Sequence, residues 1–131
     1  MDYRFPKSEK LKSSKTIESL FSDGKSYSKY PIKVFFLPKE NIETNLAAFA
    51  VPKRNFKLAV DRNRVKRQLR EAYRLNKNIL EAANGKKFVM LFLYLGKTKP
   101  QYAALEKAME KLLNKLHGEM SQAESRHFNE N

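Results

Sequence analysis

A run of eight consecutive apolar residues constrains the fold of this chain more than any other feature. The run is FVMLFLYL, at residues 88–95, and it lies between two lysines and Gly96. A strand with one wet face would alternate polar and apolar residues, so an unbroken run of this length predicts a strand buried on both faces. Such a strand needs cover from helices on each side. The run therefore predicts a single sheet packed against helices.

Residues 13–23 predict a short helix ahead of the sheet. Ser13 or Ser14 can cap its N-terminus, and Gly24 stands at the usual terminating position. Its apolar edge recurs at spacings of three and four and consists of Ile17, Leu20 and Phe21.

Two strand-forming segments are predicted after this helix. Residues 27–37 are rich in β-branched and aromatic side chains, with Pro31 dividing the segment or marking an edge. Residues 38–45 form a polar turn, and the apolar residues 46–51 form the next strand. In the first of these segments, alternation places Ile32, Val34 and Phe36 on one face and Lys33, Phe35 and Leu37 on the other.

A basic amphipathic helix is predicted from about residue 62 to the neighbourhood of Ala83, with Asp61 as its N-cap and Asn84-Gly85 as its stop. Its apolar edge is narrow and comprises Val65, Leu69, Ala72 and Tyr73. Beside that edge runs a cationic stripe at spacings of four, made of Arg62, Lys66, Arg70 and Arg74. Guanidinium groups in such an array match phosphate oxygens two at a time.

A last helix is predicted over residues 101–117, and the basic helix and this helix are expected to cover the two faces of the buried strand. Residues 1–12 read as a basic flexible arm, and residues 118–131 as a disordered polar tail. The order α-β-β-β-α-β-α then gives an α+β fold with one mixed four-stranded sheet, in a single domain over residues 13–117.

The charge of the chain points to a polyanionic partner. Residues 52–77 carry 10 basic and 2 acidic side chains, a net of +8 out of +13 for the whole chain. A solvated basic face paired with local acids is the alternative, but acids are scarce in this stretch. Nucleic acid is favoured over a membrane, since no apolar stretch approaches the ~20 residues that span a bilayer.

No catalytic constellation stands out. The chain has no Cys, only two His and four Gly, and no cluster of Asp or Glu typical of a two-metal nuclease site. We therefore expect no catalytic residue and no protein metal site. With no apolar signal segment at the start, a cytoplasmic protein is the default expectation.

The segment AVDRNRVKRQLRE, at residues 59–71, resembles the Arg-Asn-Arg signature of the bacterial ribonuclease P protein subunit. The order of elements agrees with that family over roughly residues 11–117. The resemblance implies a fold like domain 2 of ribosomal protein S5, with a left-handed crossover between two parallel strands. It also implies an accessory subunit of an endoribonuclease that matures the 5′ end of tRNA, with Mg²⁺ and the active site in the RNA subunit.

The same resemblance implies two sets of RNA-binding residues and two partners, ribonuclease P RNA and precursor tRNA; no DNA or membrane partner is expected. The catalytic RNA would be bound by Arg62, Asn63, Arg64, Lys66, Arg67 and Arg70. The single-stranded 5′ leader of precursor tRNA would enter a cleft between the first helix and the sheet, made of Ile17, Phe21, Phe35, Lys53 and Arg54.

Several alternatives stay open at this point. Arg62 and Asn63 suit a role in holding neighbouring loops, and Ile17, Phe21 and Phe35 suit the core. Two positions depart from the family pattern: Lys57 stands near a common glycine, and Ile17 stands where an aromatic residue is frequent. A ribosomal or general RNA-binding protein is the rival function. A nuclease acting alone and a DNA-binding module fit the residues less well.

Overall fold

The computed structural model describes residues 4–81 and 86–129, with the side chains of the last helix described as far as Met120. Its elements in chain order are α1 (Ser14–Asp23), β1 (Lys25–Lys29), β2 (Ile32–Pro38), β3 (Leu46–Ala50), α2 (Ala59–Asn76), α3 (Asn78–Glu81), β4 (Phe88–Tyr94) and α4 (Tyr102–Asn129). The α+β order is the predicted one, with α3 as an additional short helix. Pro31 divides the first strand segment into the hairpin β1–β2, with a cis peptide bond before it.

The four strands form one mixed sheet in the order β1-β2-β4-β3. β1 pairs with β2 and β2 with β4 in antiparallel fashion, whereas β3 pairs with β4 in parallel. The parallel pair is connected through α2, so a β-α-β crossover is present. The predicted single mixed sheet is confirmed, while the left hand of the crossover and the likeness to ribosomal protein S5 stay predictions.

The inner strand β4 has its side chains buried on both faces, as its apolar run predicted. Phe88, Met90 and Phe92 pack with residues of α2 and α4, and Val89 and Leu91 pack on the other face with Leu20 and Leu11. The expectation that α2 and α4 cover opposite faces is therefore wrong. Their apolar stripes pack against each other on one face, and α1 covers the second face.

The ends of α1 lie where the sequence predicted them. The Ser13 hydroxyl accepts a hydrogen bond from the Thr16 amide at 3.3 Å, which satisfies one free donor of the first turn. At the other end the Gly24 amide donates to the Leu20 carbonyl at 3.1 Å. A Cβ at Gly24 would lie 2.4 Å from that carbonyl oxygen, so glycine is needed here for close approach, not for a left-handed backbone (φ −73°).

The basic helix α2 differs from its prediction at both ends. It begins at Ala59, and its N-cap is Leu58, which makes no side-chain cap. Asp61 therefore lies inside the first turn, where a carboxylate still complements the helix dipole, and it pairs with Lys99 at 3.1 Å. α2 ends at Asn76, whose side-chain amide donates to the Ala72 carbonyl at 2.8 Å.

The predicted continuation of this helix is replaced by the separate turn α3. The predicted end at Ala83 and stop at Asn84-Gly85 lie outside the described residues.

Residues 4–12, which the sequence predicted as part of a flexible arm, pack against the domain in this structure. Lys7–Glu9 form a 3-10 turn, and the Leu11 amide donates to the Ala47 carbonyl of β3 at 2.9 Å. The Lys77 ammonium group, only 3% exposed, pairs with the Glu9 carboxylate at 2.8 Å. Residues 1–3 lie outside the described part of the chain.

The last helix extends past the predicted end at His117. Glu119 and Met120 are buried in α4, and the Glu119 carboxylate accepts a hydrogen bond from the Tyr27 hydroxyl at 2.8 Å and pairs with Lys25 at 3.2 Å. Helix α4 thus continues past the predicted tail boundary at residue 118, where β1 supplies polar partners for Glu119.

Candidate nucleic-acid interface

Helix α2 buries one narrow edge and presents cations over much of the remainder. Its buried residues are Val65, Leu69, Ala72 and Tyr73, the four predicted from spacing. Burial raises the pKa of the Tyr73 phenol, so this ring is a neutral core residue at physiological pH. The apolar edge thus fixes which side chains of α2 point outward.

The two ends of the cationic stripe have structural partners. The Arg62 guanidinium donates to the backbone carbonyls of Phe56 at 2.8 Å and Lys57 at 3.2 Å, which ties the preceding loop to the helix. Arg74 is hydrogen-bonded to the Glu71 carboxylate, with 3.1 Å between Nε and Oε2. That bond lowers the pKa of Glu71. Arg62 therefore does what the loop-holding alternative proposed.

The middle of α2 carries four cations with no hydrogen-bonded or ionic side-chain partner in residues 4–81 and 86–120: Arg64, Lys66, Arg67 and Arg70. Arg64 and Arg67 are exposed, whereas Lys66 and Arg70 are partly covered. Asn63 is exposed beside them and can donate or accept hydrogen bonds. We call these four cations with Asn63 the basic face.

A groove at the outer edge of β3, beside the docked N-terminal segment, extends the basic face. Lys66 and Arg70 line it from α2, and Lys10 and Lys12 line it from the docked N-terminal segment. The apolar floor of the groove includes Phe5 and Ala48. Sequence reasoning missed the two N-terminal lysines. Two apolar residues in the same segment, Phe5 and Leu11, could have indicated that it packs on the domain.

The second predicted site, between α1 and the sheet, is a partly open aromatic surface. Phe21 is 53% exposed, and its ring centroid lies 5.0 Å from that of Phe35. Phe35 and Ile17 are half-buried against the small cluster under α1. The core alternative is thus wrong for Phe21, while Ile17 and Phe35 have one side packed and one side open. We call Ile17, Phe21 and Phe35 the aromatic cleft.

One cation contacts the aromatic cleft directly, and two further predicted cations lie in the turn after β3. The Lys33 ammonium lies over the Phe35 ring at 5.0 Å from its centroid, an interaction that orders both groups. Lys53 and Arg54 are exposed in the turn that follows β3. Lys33 was not among the predicted binding residues, although alternation had placed it on the face of Phe35.

Strand register relates the positions of the two surfaces on the sheet. Phe35 is level with Leu91, and Leu91 is level with Ala48, so these three side chains form one row across the sheet. Ala48 also lines the groove beside Lys66 and Arg70. One row further along, Lys33, Leu93 and Ala50 align, and Lys53 follows Ala50 by three residues. Leu91 in the first row is buried under α1, so the aromatic cleft and the groove lie at the same level of the sheet but do not form one open surface.

Two kinds of feature are absent from the described part of the chain. Among residues 4–81 and 86–120, no group of three or more His, Cys, Asp or Glu side chains is placed to hold a metal ion. Within the same described part of the chain, no helix is both long enough and apolar enough to cross a membrane. What the arrangement can do is bind phosphates and stack bases.

Comparison with known proteins gives one consistent family. Residues 5–117 match the family model described as Ribonuclease P. A ribonuclease P protein component from Porphyromonas gingivalis is 33% identical over 117 residues, covering 86% of this chain and 85% of the relative. One from Caldanaerobacter subterraneus is 32% identical over 108 residues, covering 81% and 87% of the two chains.

Solved structures agree on the fold. The RNase P protein from Thermotoga maritima superimposes with a TM-score of 0.69 at 21% identity, covering 82% of this chain and 96% of that one. The RNase P protein from Staphylococcus aureus gives a TM-score of 0.68 at 16% identity, covering 82% and 94%. With the family model matching most of its length, this chain belongs to the ribonuclease P protein family.

Proposed function

We propose that this chain is the protein subunit of ribonuclease P and that it binds two RNAs at once. The basic face would bind the catalytic RNA, and the aromatic cleft would bind the single-stranded 5′ leader of precursor tRNA. The observation that carries the proposal is that one small domain presents cations without side-chain partners on α2 and partly open aromatic rings beside α1. The assembled enzyme would act in the cytoplasm on newly made tRNA.

The basic face suits the backbone of a structured RNA. Arginine forks match phosphate oxygens, and contacts of this kind position an RNA without reading its sequence. Each neutralised phosphate also releases counterions, which makes affinity strongly dependent on salt. We assign this role to Asn63, Arg64, Lys66, Arg67 and Arg70, and we assign Arg62 to holding the loop ahead of them.

The aromatic cleft suits unpaired bases. Every base has a π-face that stacks on an aromatic ring, and flanking cations hold the backbone. Phe21 and Phe35 would supply the stacking surface, Ile17 an apolar contact, and Lys33, Lys53 and Arg54 the charge. A leader bound here would raise the affinity for precursor over mature tRNA.

Cleavage itself is assigned to the RNA subunit, with the Mg²⁺ ions held there. The described residues of this chain do not form a group that fits Mg²⁺, so no step of cleavage is assigned to them. The protein adds positive charge where RNA phosphates crowd together, which would lower the Mg²⁺ concentration needed for activity.

The test is 5′ processing of a precursor tRNA at low Mg²⁺ concentration. The purified protein is assayed alone, with a bacterial ribonuclease P RNA, and with an unrelated structured RNA. We expect cleavage only in the second mixture. Cleavage by the protein alone would contradict the assignment of catalysis, and no stimulation in any mixture would favour a general RNA-binding protein.

A matched pair of variants tests the basic face. Arg64→Ala/Arg67→Ala should weaken binding to ribonuclease P RNA at least tenfold and flatten its salt dependence. Lys7→Ala/Lys39→Ala removes the same charge from exposed lysines outside both surfaces and should change the affinity less than about twofold. Equal losses in the two variants would mean that net charge, not the basic face, determines binding.

A further inference from the structure

The sheet edge opposite the basic face carries a second cationic surface. Helix α4 exposes Lys107, Lys111 and Lys115 at spacings of four, and the edge strand β1 exposes Lys29 beside them. Between the helix and the strand lies a groove of about 400 Å³, lined by Ser28, Lys29, Lys111, Leu112, Asn114 and Lys115. We call the four lysines the lysine face.

The charges of the lysine face are not used within the domain. In residues 4–81 and 86–120, none of the four lysines makes an ion pair, whereas nearby Lys25 is neutralised by Glu119 at 3.2 Å. The Lys115 ammonium lies 5.0 Å from the centroid of the Tyr27 ring, so its position is fixed without loss of its charge. At 100° per residue, Glu106 and Glu110 fall on the far side of Lys107, away from β1.

The lysine face and the basic face lie at opposite edges of the sheet. β1 and β3 are the two outer strands of a four-stranded sheet, and strands are spaced by about 4.8 Å, so the two edges are about 14 Å apart before side chains are added. α4 nevertheless packs beside α2 on the same face of the sheet, whereas the aromatic cleft lies on the other face. A ligand of the lysine face would therefore approach the domain on the side proposed for the catalytic RNA, and not on the side proposed for the leader.

We propose that the lysine face binds the phosphate backbone of a second segment of the catalytic RNA. The inference rests on the proposed function and extends it, since the two cationic edges would grip separate parts of one folded RNA. Lysine is a flexible point charge that contacts phosphate without base readout. The recognition is expected to follow RNA shape and salt, and not sequence.

The first test compares two triple variants, each of which lacks three lysine charges from a different part of the surface. Lys29→Gln/Lys111→Gln/Lys115→Gln should lower the affinity for ribonuclease P RNA about tenfold and reduce its salt slope by about 2. Its discrimination between precursor and mature tRNA should stay unchanged. The control Lys7→Gln/Lys39→Gln/Lys97→Gln has the same net charge and exposed positions, and should lose less than about twofold.

Equal losses in the two triple variants, or no loss in the first, would overturn the proposal. A loss of precursor tRNA binding with unchanged affinity for the catalytic RNA would assign the lysine face to tRNA and would also overturn it. Arg64→Ala/Arg67→Ala is measured in parallel. If that variant too keeps full affinity, the proposed function fails, and not the lysine face alone.

The second test locates the RNA segments directly. The chain has no cysteine, so one introduced thiol can carry an iron chelate that cleaves nearby RNA by hydroxyl radicals. We expect Asn114→Cys and Gln68→Cys, on α4 and α2, to cut the catalytic RNA in two separate segments within the holoenzyme. Cuts from Asn114→Cys that fall only in tRNA, or in no RNA, would contradict the second contact.

Discussion

The two faces of the sheet use the same kinds of residue in opposite ways. On the face under α2 and α4, Phe36, Phe88 and Phe92 are at most 1% exposed and pack with Tyr73. On the face under α1, Phe21 is 53% exposed and Phe35 is half-buried. The helices that cover the first face, α2 and α4, have 18 and 28 residues, whereas α1 on the second face has 10. The short helix packs on β2 and β4 and leaves the small side chains of β3 open.

Because of this difference, one face of the sheet serves folding stability and the other is suited to ligand binding. The face under α2 and α4, which we call the closed face, buries large rings, and this burial supplies most of the hydrophobic free energy of folding. The face under α1, which we call the open face, holds Phe21 and Phe35 in position by contact with each other and with Lys33. Part of the surface of both rings stays exposed. Rings held in this way are ordered before a ligand arrives, so less conformational entropy is lost on binding.

The largest expected effect comes from truncating a ring on the closed face. Phe92→Ala should destabilise the protein by about 3–5 kcal/mol, because it removes a fully buried ring and leaves a cavity. Phe35→Ala on the open face should cost about 1–2 kcal/mol. Urea unfolding of both variants measures the difference. Equal costs would mean that the open face is as much a part of the core as the closed one.

The next effect concerns the buried pair that holds the N-terminal segment beside α2. Lys77→Met should cost about 3 kcal/mol, because the Glu9 carboxylate, 14% exposed, is left without its partner. Lys77→Met/Glu9→Met should recover most of that loss, since both charges are then absent. Unfolding curves of the single and double variants test this. A double variant no more stable than the single one would show that packing, not charge, accounts for the loss.

A smaller effect is expected for the leader at the open face. Phe21→Ala should weaken binding of precursor tRNA to the holoenzyme by about 1–2 kcal/mol and leave mature tRNA within about twofold, because one stacking surface is lost. Tyr30→Ala is the control, since Tyr30 is 72% exposed but lies in the β1–β2 turn. Filter binding with both tRNAs measures the difference. An equal loss for precursor and mature tRNA would mean that Phe21 does not contact the leader.

Local rules were sufficient for the elements whose signals are local. The cap at Ser13, the close approach at Gly24 and the alternation from Ile32 to Leu37 all depend on neighbours within a few residues. The same holds for the buried edge of α2, from Val65 to Tyr73. The family resemblance added the aromatic cleft, which no periodicity in this chain shows.

Contacts between residues far apart in the sequence determine the features that the sequence patterns did not predict. The N-terminal segment looked mobile because its anchor, the Lys77–Glu9 pair, joins residues 68 positions apart. The burial of Glu119 likewise depends on Lys25 and Tyr27, which lie far away in the sequence. Spacing made Arg62 and Arg74 equal members of one stripe, and only their observed partners separate them from the free cations between them.

The smallest expected effect tests that separation within α2. Hydrogen bonding to Arg74 lowers the pKa of Glu71 in the folded state, so the pair stabilises the protein above the unfolded value of about 4.5 and loses this as pH falls through the lowered pKa. Arg74→Ala should therefore slightly reduce stability near pH 7 and flatten its decline in acid. Because Arg74 is already paired, its removal should change the affinity for ribonuclease P RNA less than about twofold, well below the loss for Arg64→Ala/Arg67→Ala. Urea unfolding at several pH values and RNA binding at fixed salt measure the two properties, and a tenfold loss of RNA affinity would return Arg74 to the basic face.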